Sequence, residues 1–116
     1  MRVQPAFVLL FCLFGCGGKE KSTAELIDDL NSPHERDQII AVRLLPQRKG
    51  DAAQVVPALV RALKSKQSEV RLSAAIGLGY FGDQAGEAIP ALQEAQGDGD
   101  SRVRKAADVA LSRIKK

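Results

Sequence analysis

Gly77-Leu78-Gly79-Tyr80-Phe81-Gly82 has the spacing G-x-G-x-x-G. Such a run cradles a dinucleotide pyrophosphate when a strand leads into the first glycine and a helix opens at the last, turning backbone N–H groups toward the phosphates. Asp98 and Asp100 lie near the separation expected of a ribose-binding acid. The context opposes this chemistry: Glu69 to Ile76 carries apolar residues at helical spacing, so the motif falls inside a helix that Gly82 is placed to end. Asp98-x-Asp100 also opens like a calcium loop, but that register puts Arg102 where a third oxygen ligand belongs and Val109 where a bidentate Glu is required. His34 is the only histidine, with neither a second ligand nor a nucleophile beside it. Asp28 and Asp29 are adjacent and project about 100° apart on a helix, so they cannot face each other as an acid/base pair. No catalytic group, cofactor or metal site is expected.

Cys12 and Cys16 both lie near the start of the chain. Arg2 supplies a short positive region, and Ala6 to Phe14 form an apolar run ahead of Gly15-Cys16-Gly17-Gly18. That is the anatomy of an export signal; a spanning helix needs about 20 apolar residues, more than this stretch offers. Leu13-Phe14-Gly15-Cys16 resembles a bacterial lipoprotein lipobox, with a leucine, a small residue and the acceptor cysteine in order. The resemblance implies a signal peptide over 1–15 removed before Cys16, diacylglyceryl on its sulfur and acylation, of the kind palmitate labels, on the new amine. Residues 16–22 would then be a lipidated tether, holding the protein in the bacterial cell envelope at the inner or outer membrane. Two or three acyl chains make a lasting anchor, at about 0.8 kcal/mol per buried methylene, where one alone is marginal. Losing Arg2 lowers the formal charge from +3 to +2, far from the clustered basic face of a duplex binder, so no nucleic-acid partner is expected.

The elements that position these residues follow from a repeat. Val56-Pro57-Ala58-Leu59 recurs as Ile89-Pro90-Ala91-Leu92, and Val70-Arg71 with Ala74 recurs as Val103-Arg104 with Ala107, at a common offset of 33. Counting back by 33 aligns Leu59 with Leu26, Ala74 with Ala41 and Leu78 with Leu45, a degenerate first copy. Val70, Ala74, Gly77, Leu78 and Phe81 form one stripe of a 3.6-residue helix, and Val103, Ala107, Ala110, Leu111 and Ile114 repeat it. Only Tyr80 and Phe81 of the five aromatics lie beyond the leader, which argues against a β-sandwich or barrel core and against a base-stacking platform. Ser22 with Glu25 and Ser32 with Glu35 read as capping boxes, with Pro33 at the first helical position. Asp100 or Ser101 is the expected N-cap of the last helix. Pro57 and Pro90 are expected in the first turns of their helices, where no internal bond is lost. The spacing predicts helices over about 23–31, 33–46, 54–64, 68–81, 87–96 and 101–115, in copies of about 23–53, 54–86 and 87–116. Each hairpin is too thin to bury its own stripe, so neighbours must stack.

Val70-Arg71-x-x-Ala74-Ala75-x-Gly77-Leu78-Gly79-x-Phe81-Gly82 resembles the HEAT-like repeat in the short bacterial form shared with phycobilisome-lyase relatives, VR-x-x-AA-x-ALG-x-IG. Copy two departs from that pattern at Gly77 and Phe81. Copy three carries Asp108 and Ser112 where Ala and Gly are expected, and copy one has Asp37, Gln38 and Pro46 at pattern positions. The resemblance implies an all-α fold, a short right-handed α-solenoid (α-α superhelix) of about three HEAT-like helical hairpins over 23–116. It implies that the second helix of each pair lines the inner curve, which makes Arg43, Arg71, Ser73, Tyr80, Arg104, Asp108 and Arg113 candidates for contact with a partner. Arg71 and Arg104 are equally placed to hydrogen-bond between copies, and Asp98 is the acid such an arginine would take; Ser32 and Ser65 cannot supply that carboxylate. The expected function is a non-enzymatic protein–protein interaction scaffold or adaptor. Its partner would be another protein or, through an exposed end, a second copy in a homodimer. The alternative, an accessory lyase-like subunit of an enzyme, calls for a cofactor-sized apolar cleft with a reactive side chain. DNA binding would need cytosolic residence and a basic inner face, and an export signal opposes it.

Overall fold

The first helix starts where Ser22 dictates: its hydroxyl accepts from the Glu25 N–H at 3.2 Å, and the Glu25 carboxylate accepts from the Ser22 N–H at 2.8 Å, satisfying two end donors reciprocally. The computed structural model describes residues 20–115, so Cys12, Cys16, the leader and Lys116 lie outside the described residues. The helices are α1 (Thr23–Asp29), α2 (Glu35–Leu44), α3 (Ala52–Ala62), α4 (Ser68–Phe81), α5 (Ile89–Ala95) and α6 (Ser101–Ile114). Short 3₁₀ turns at Leu45–Gln47, Lys49–Asp51 and Gly82–Ala88 join one hairpin to the next. Among the described residues there is no strand, and no helix is long and apolar enough to cross a membrane.

The repeat is a packing ladder. Leu26, Leu59 and Leu92, one per copy at the 33-residue offset, are all fully buried, as are Ala41, Ala74 and Ala107. Each buried leucine contributes on the order of 1.5–3 kcal/mol. Helix α4 is the hub, packed on α2 to one side and α6 to the other, with α3 behind it. The chain is thus a short all-α solenoid in which each hairpin covers its neighbour's apolar flank.

Two glycines make that stacking close, and a third ends the helix that carries them. A Cβ at Gly77 would stand 2.6 Å from Pro46 Cγ, and one at Gly79 would stand 3.2 Å from Ala110 Cα. Gly82 ends α4 at φ 55°, a backbone region that favours glycine. The G-x-G-x-x-G run is therefore two inter-copy contacts and a helix stop. The departures at Gly77 and at Pro46 are one fact, because the two residues touch.

Two helix starts differ from expectation. Helix α2 begins at Glu35 with His34 as N-cap, not with a Ser32/Glu35 box. The Ser32 hydroxyl accepts from the His34 N–H at 3.1 Å and donates to Asp37 Oδ2 at 3.0 Å, so it closes a turn before the helix opens. Pro57 lies inside α3 rather than in its first turn. The carbonyl it leaves unpaired is that of Ala53, an exposed residue, where water replaces the missing N–H. Pro90 does sit in the first turn of α5, after a kink at Ala85 (φ −102°, ψ 24°). Asp100 caps α6 as expected, accepting from the Arg102 N–H at 2.8 Å.

Candidate interaction surface

Two of the candidate arginines serve the turns within hairpins. Position by position at the repeat offset, Gln38 Nε2 donates to the Ser32 carbonyl, Arg71 to that of Ser65 and Arg104 to that of Asp98. The side chains of Ser32, Ser65 and Asp98 likewise accept from the N–H two residues on, at His34, Gln67 and Asp100. Arg71 also reaches into the next copy, its Nε at 2.9 Å from Asp98 Oδ2 and its outer nitrogen at 3.2 Å from Oδ1. This two-pronged bond holds the Asp98 carboxyl below the usual carboxylate range. The incomplete Asp-to-Arg ladder of the sequence is therefore real, with a single rung between copies two and three.

Asp108 takes a third role. It accepts from Gln96 Nε2 at 2.6 Å on the outward end of copy three. The positions that in copy two are the buried Leu63, Ala75 and Gly79 are in copy three the exposed Gln96, Asp108 and Ser112. Polar residues thus replace apolar ones on the flank of copy three that corresponds to the buried flank of copy two.

Arg43, Ser73, Tyr80 and Arg113 come together on the open face of the second helices. Arg43 and Ser73 border a groove of about 330 Å³ between α2 and α4, floored by Val42 and Gly77. Arg113 borders a second groove, of about 380 Å³, between α4 and α6. Leu72, Ile76 and Tyr80 line both, so the two grooves flank one ridge of α4. The Arg113 guanidinium lies 5.9 Å from the centre of the Tyr80 ring, a cation–π contact that holds the ring outward.

Ile76 (43% exposed) and Val109 (49%) belong to this surface, and neither is among the sequence candidates. The signal was available: they occupy the same repeat position, off the buried stripe. Lys105 and Arg102 complete the rim. Arg102 is held at 2.8 Å by Glu69 and 2.9 Å by Asp100; these bonds keep its guanidinium protonated and push the Asp100 carboxyl down to about 2. Among the described residues, every large apolar side chain that is exposed, Ile40, Leu44, Ile76, Tyr80 and Val109, lies on a second helix.

Stacked helical hairpins with an apolar, basic-rimmed face on their second helices define a helical-repeat solenoid. The family model for HEAT repeats matches residues 23–112, and the chain belongs to that family. No curated protein matches the chain significantly.

Proposed function

We propose that the protein is a non-enzymatic, membrane-tethered HEAT-repeat lipoprotein that acts as a protein–protein interaction scaffold or adaptor in the bacterial envelope. The observation that carries this reading is the confinement of the five exposed large apolar side chains among the described residues to the second helices. Three of them border two neighbouring grooves. Contiguous exposed apolar surface is where soluble domains bind partners, and Tyr and Arg are favoured anchors. The sequence Leu13-Phe14-Gly15-Cys16 supports tethering through acylated Cys16. Val70-Arg71 and Val103-Arg104 in their repeat context support the short bacterial form of the repeat shared with phycobilisome-lyase relatives. The polar end made by Gln96, Asp108 and Ser112 counts against a homodimer through that end.

Labelling growing cells with radioactive palmitate tests the tether: label in the wild-type protein and none in Cys16→Ala is expected, and no label in either removes the lipoprotein reading. Capture of partners from solubilised envelope tests the surface. Tyr80 is half exposed, so Tyr80→Ala leaves the core intact and is expected to reduce capture several-fold. Equal capture takes Tyr80 out of the contact set.

A further inference from the structure

We propose that the groove between α4 and α6 receives the apolar side of a partner's amphipathic helix whose flanks carry carboxylates; this rests on the second helices being the binding face. The chain's modest net charge conceals a segregation. Helices α2, α4 and α6 carry seven Lys and Arg against four Asp and Glu, whereas α1, α3 and α5 carry one arginine against four acids. Arg102, Lys105 and Arg113 line the α4/α6 groove and no acid does, and with Arg102 paired to Glu69 and Asp100 the unanswered cations are Lys105 and Arg113. Neither Lys105 nor Arg113 has a carboxylate partner among the described residues, and the Arg113 guanidinium faces the Tyr80 ring.

The shape fits a helix. The floor is made of small residues, among them Gly79 and Ala110 in close contact, and small residues let a third helix settle between two others. Ile76 and Val109 offer apolar walls. Helices α4 and α6 are 14 residues each, so the groove accommodates a partner segment of about 14 residues, close to 21 Å, lying along it. A purely apolar helix leaves the cations unanswered. Nucleic acid answers the cations but not the apolar walls, and Tyr80 is the only aromatic in the groove. A second copy of this chain does not fit, because the apolar side of its acidic helix α1 is already turned inward through Leu26.

The test uses the full chain and a labelled synthetic helical peptide of about 14 residues with leucines on one face and glutamates on the flanks, beside its Glu→Gln version and a single-stranded oligonucleotide of similar charge. The acidic peptide is expected to bind at least about tenfold more tightly than the neutral one, and to weaken as salt rises while the neutral one does not. Lys105→Glu should reverse the preference toward a peptide with lysine flanks. Val109→Asp should weaken both peptides. Equal binding of acidic and neutral peptides, sensitive to Val109→Asp, overturns the charge assignment and leaves the binding face standing. Binding of neither peptide overturns both, and preferential binding of the oligonucleotide replaces the partner class with nucleic acid.

Discussion

The junction between the first and second hairpins and the junction between the second and third are the same structure built from different side chains. At the later one, Arg71 grips Asp98, and Lys64 stands 3.9 Å from Glu94 across a cleft of only about 130 Å³. At the earlier one, the positions of Lys64, Glu94 and Asp98 are held by Asn31, Arg61 and Ser65, and a cleft of about 510 Å³ remains. At that turn end the bond between copies is neutral, Gln67 Nε2 donating to Gln38 Oε1 at 2.7 Å, while the charged contacts of this junction, Arg43 with Glu69 at 3.9 Å and Lys49 with the Tyr80 carbonyl at 3.1 Å, lie away from the cleft. The leucine and alanine ladder runs unbroken through both. Apolar burial therefore sets the stacking, and the polar bonds at the turn end set how tightly each junction is closed.

The largest effect follows from removing the clasp. Asp98→Ala leaves the half-buried Arg71 guanidinium without its carboxylate and removes a turn bond to the Asp100 N–H. Stability in chemical denaturation is expected to fall by about 2–3 kcal/mol, below the range for fully buried pairs because both side chains keep some access to water. Gln38→Ala at the other junction should cost about 1 kcal/mol. The Asp98 contribution also depends on pH in one direction. Its folded pKa lies below the unfolded value of about 3.9, so the stabilisation is complete above about pH 5 and is lost as pH falls through the folded value. Thermal unfolding of wild type and Asp98→Asn should therefore differ at neutral pH and converge in acid. A difference that does not narrow as pH falls below the unfolded value would show that the clasp is not the source.

Gly77→Ala comes next and addresses the earlier junction from its core side. Replacing a helical glycine ordinarily stabilises by about 1 kcal/mol. Here the new methyl would lie 2.6 Å from the rigid ring of Pro46, and overpacking of this kind costs roughly 1–3 kcal/mol. A net loss of about 1–2 kcal/mol is expected, turning into a gain when Pro46→Ala is made first; a double-mutant cycle with no coupling would break the pairing.

That pair shows what the sequence carries and what it does not. The 33-residue offset and the stripe from Val70 to Phe81 are sufficient to read three stacked hairpins, because burial in a ladder repeats exactly where the apolar residues repeat. Gly77 and Pro46 each read as a departure, since contact between copies is invisible until both are placed. Ser32 misleads because a serine before proline can spend its hydroxyl on a turn instead of a helix end, and Pro57 because its tolerance depends on whether the Ala53 carbonyl meets water. At the surface, Arg43, Ser73, Tyr80 and Arg113 sit on the grooves, whereas Arg71, Arg104 and Asp108 are engaged by turns and by the polar flank of copy three. Long polar side chains have several partners within reach, and sequence position does not choose among them. Ile76 and Val109 carry no chemical signature one at a time, and only their shared repeat position off the buried stripe marks them.

Transplanting the clasp sharpens the comparison at about half that scale. Gln38→Arg with Ser65→Asp places the later junction's pair in the earlier one, and Ser65→Asp preserves the bond to the Gln67 N–H just as Asp98 serves Asp100. The double variant is expected to gain about 1 kcal/mol, with amide exchange in α1 and α2 slowed accordingly. Either single change should be neutral or unfavourable, since a charge without its partner is left near the cleft. Additive behaviour of the two changes would mean that the clasp acts separately on each hairpin and not between them.

The smallest effect separates the exposed ion pair at the closed cleft from the Arg71–Asp98 clasp beside it. Lys64 and Glu94 are about three-quarters exposed and stand 3.9 Å apart, so solvent and salt screen their attraction and the two long side chains lose freedom in holding it. Lys64→Ala is expected to change stability by less than about 0.5 kcal/mol, with little dependence on salt. The narrow cleft, lined by Leu63, Ala91 and Ala95, would then owe its closure to Arg71 and Asp98. A loss comparable to that of Asp98→Ala would reverse this order and place the closing force at the exposed rim.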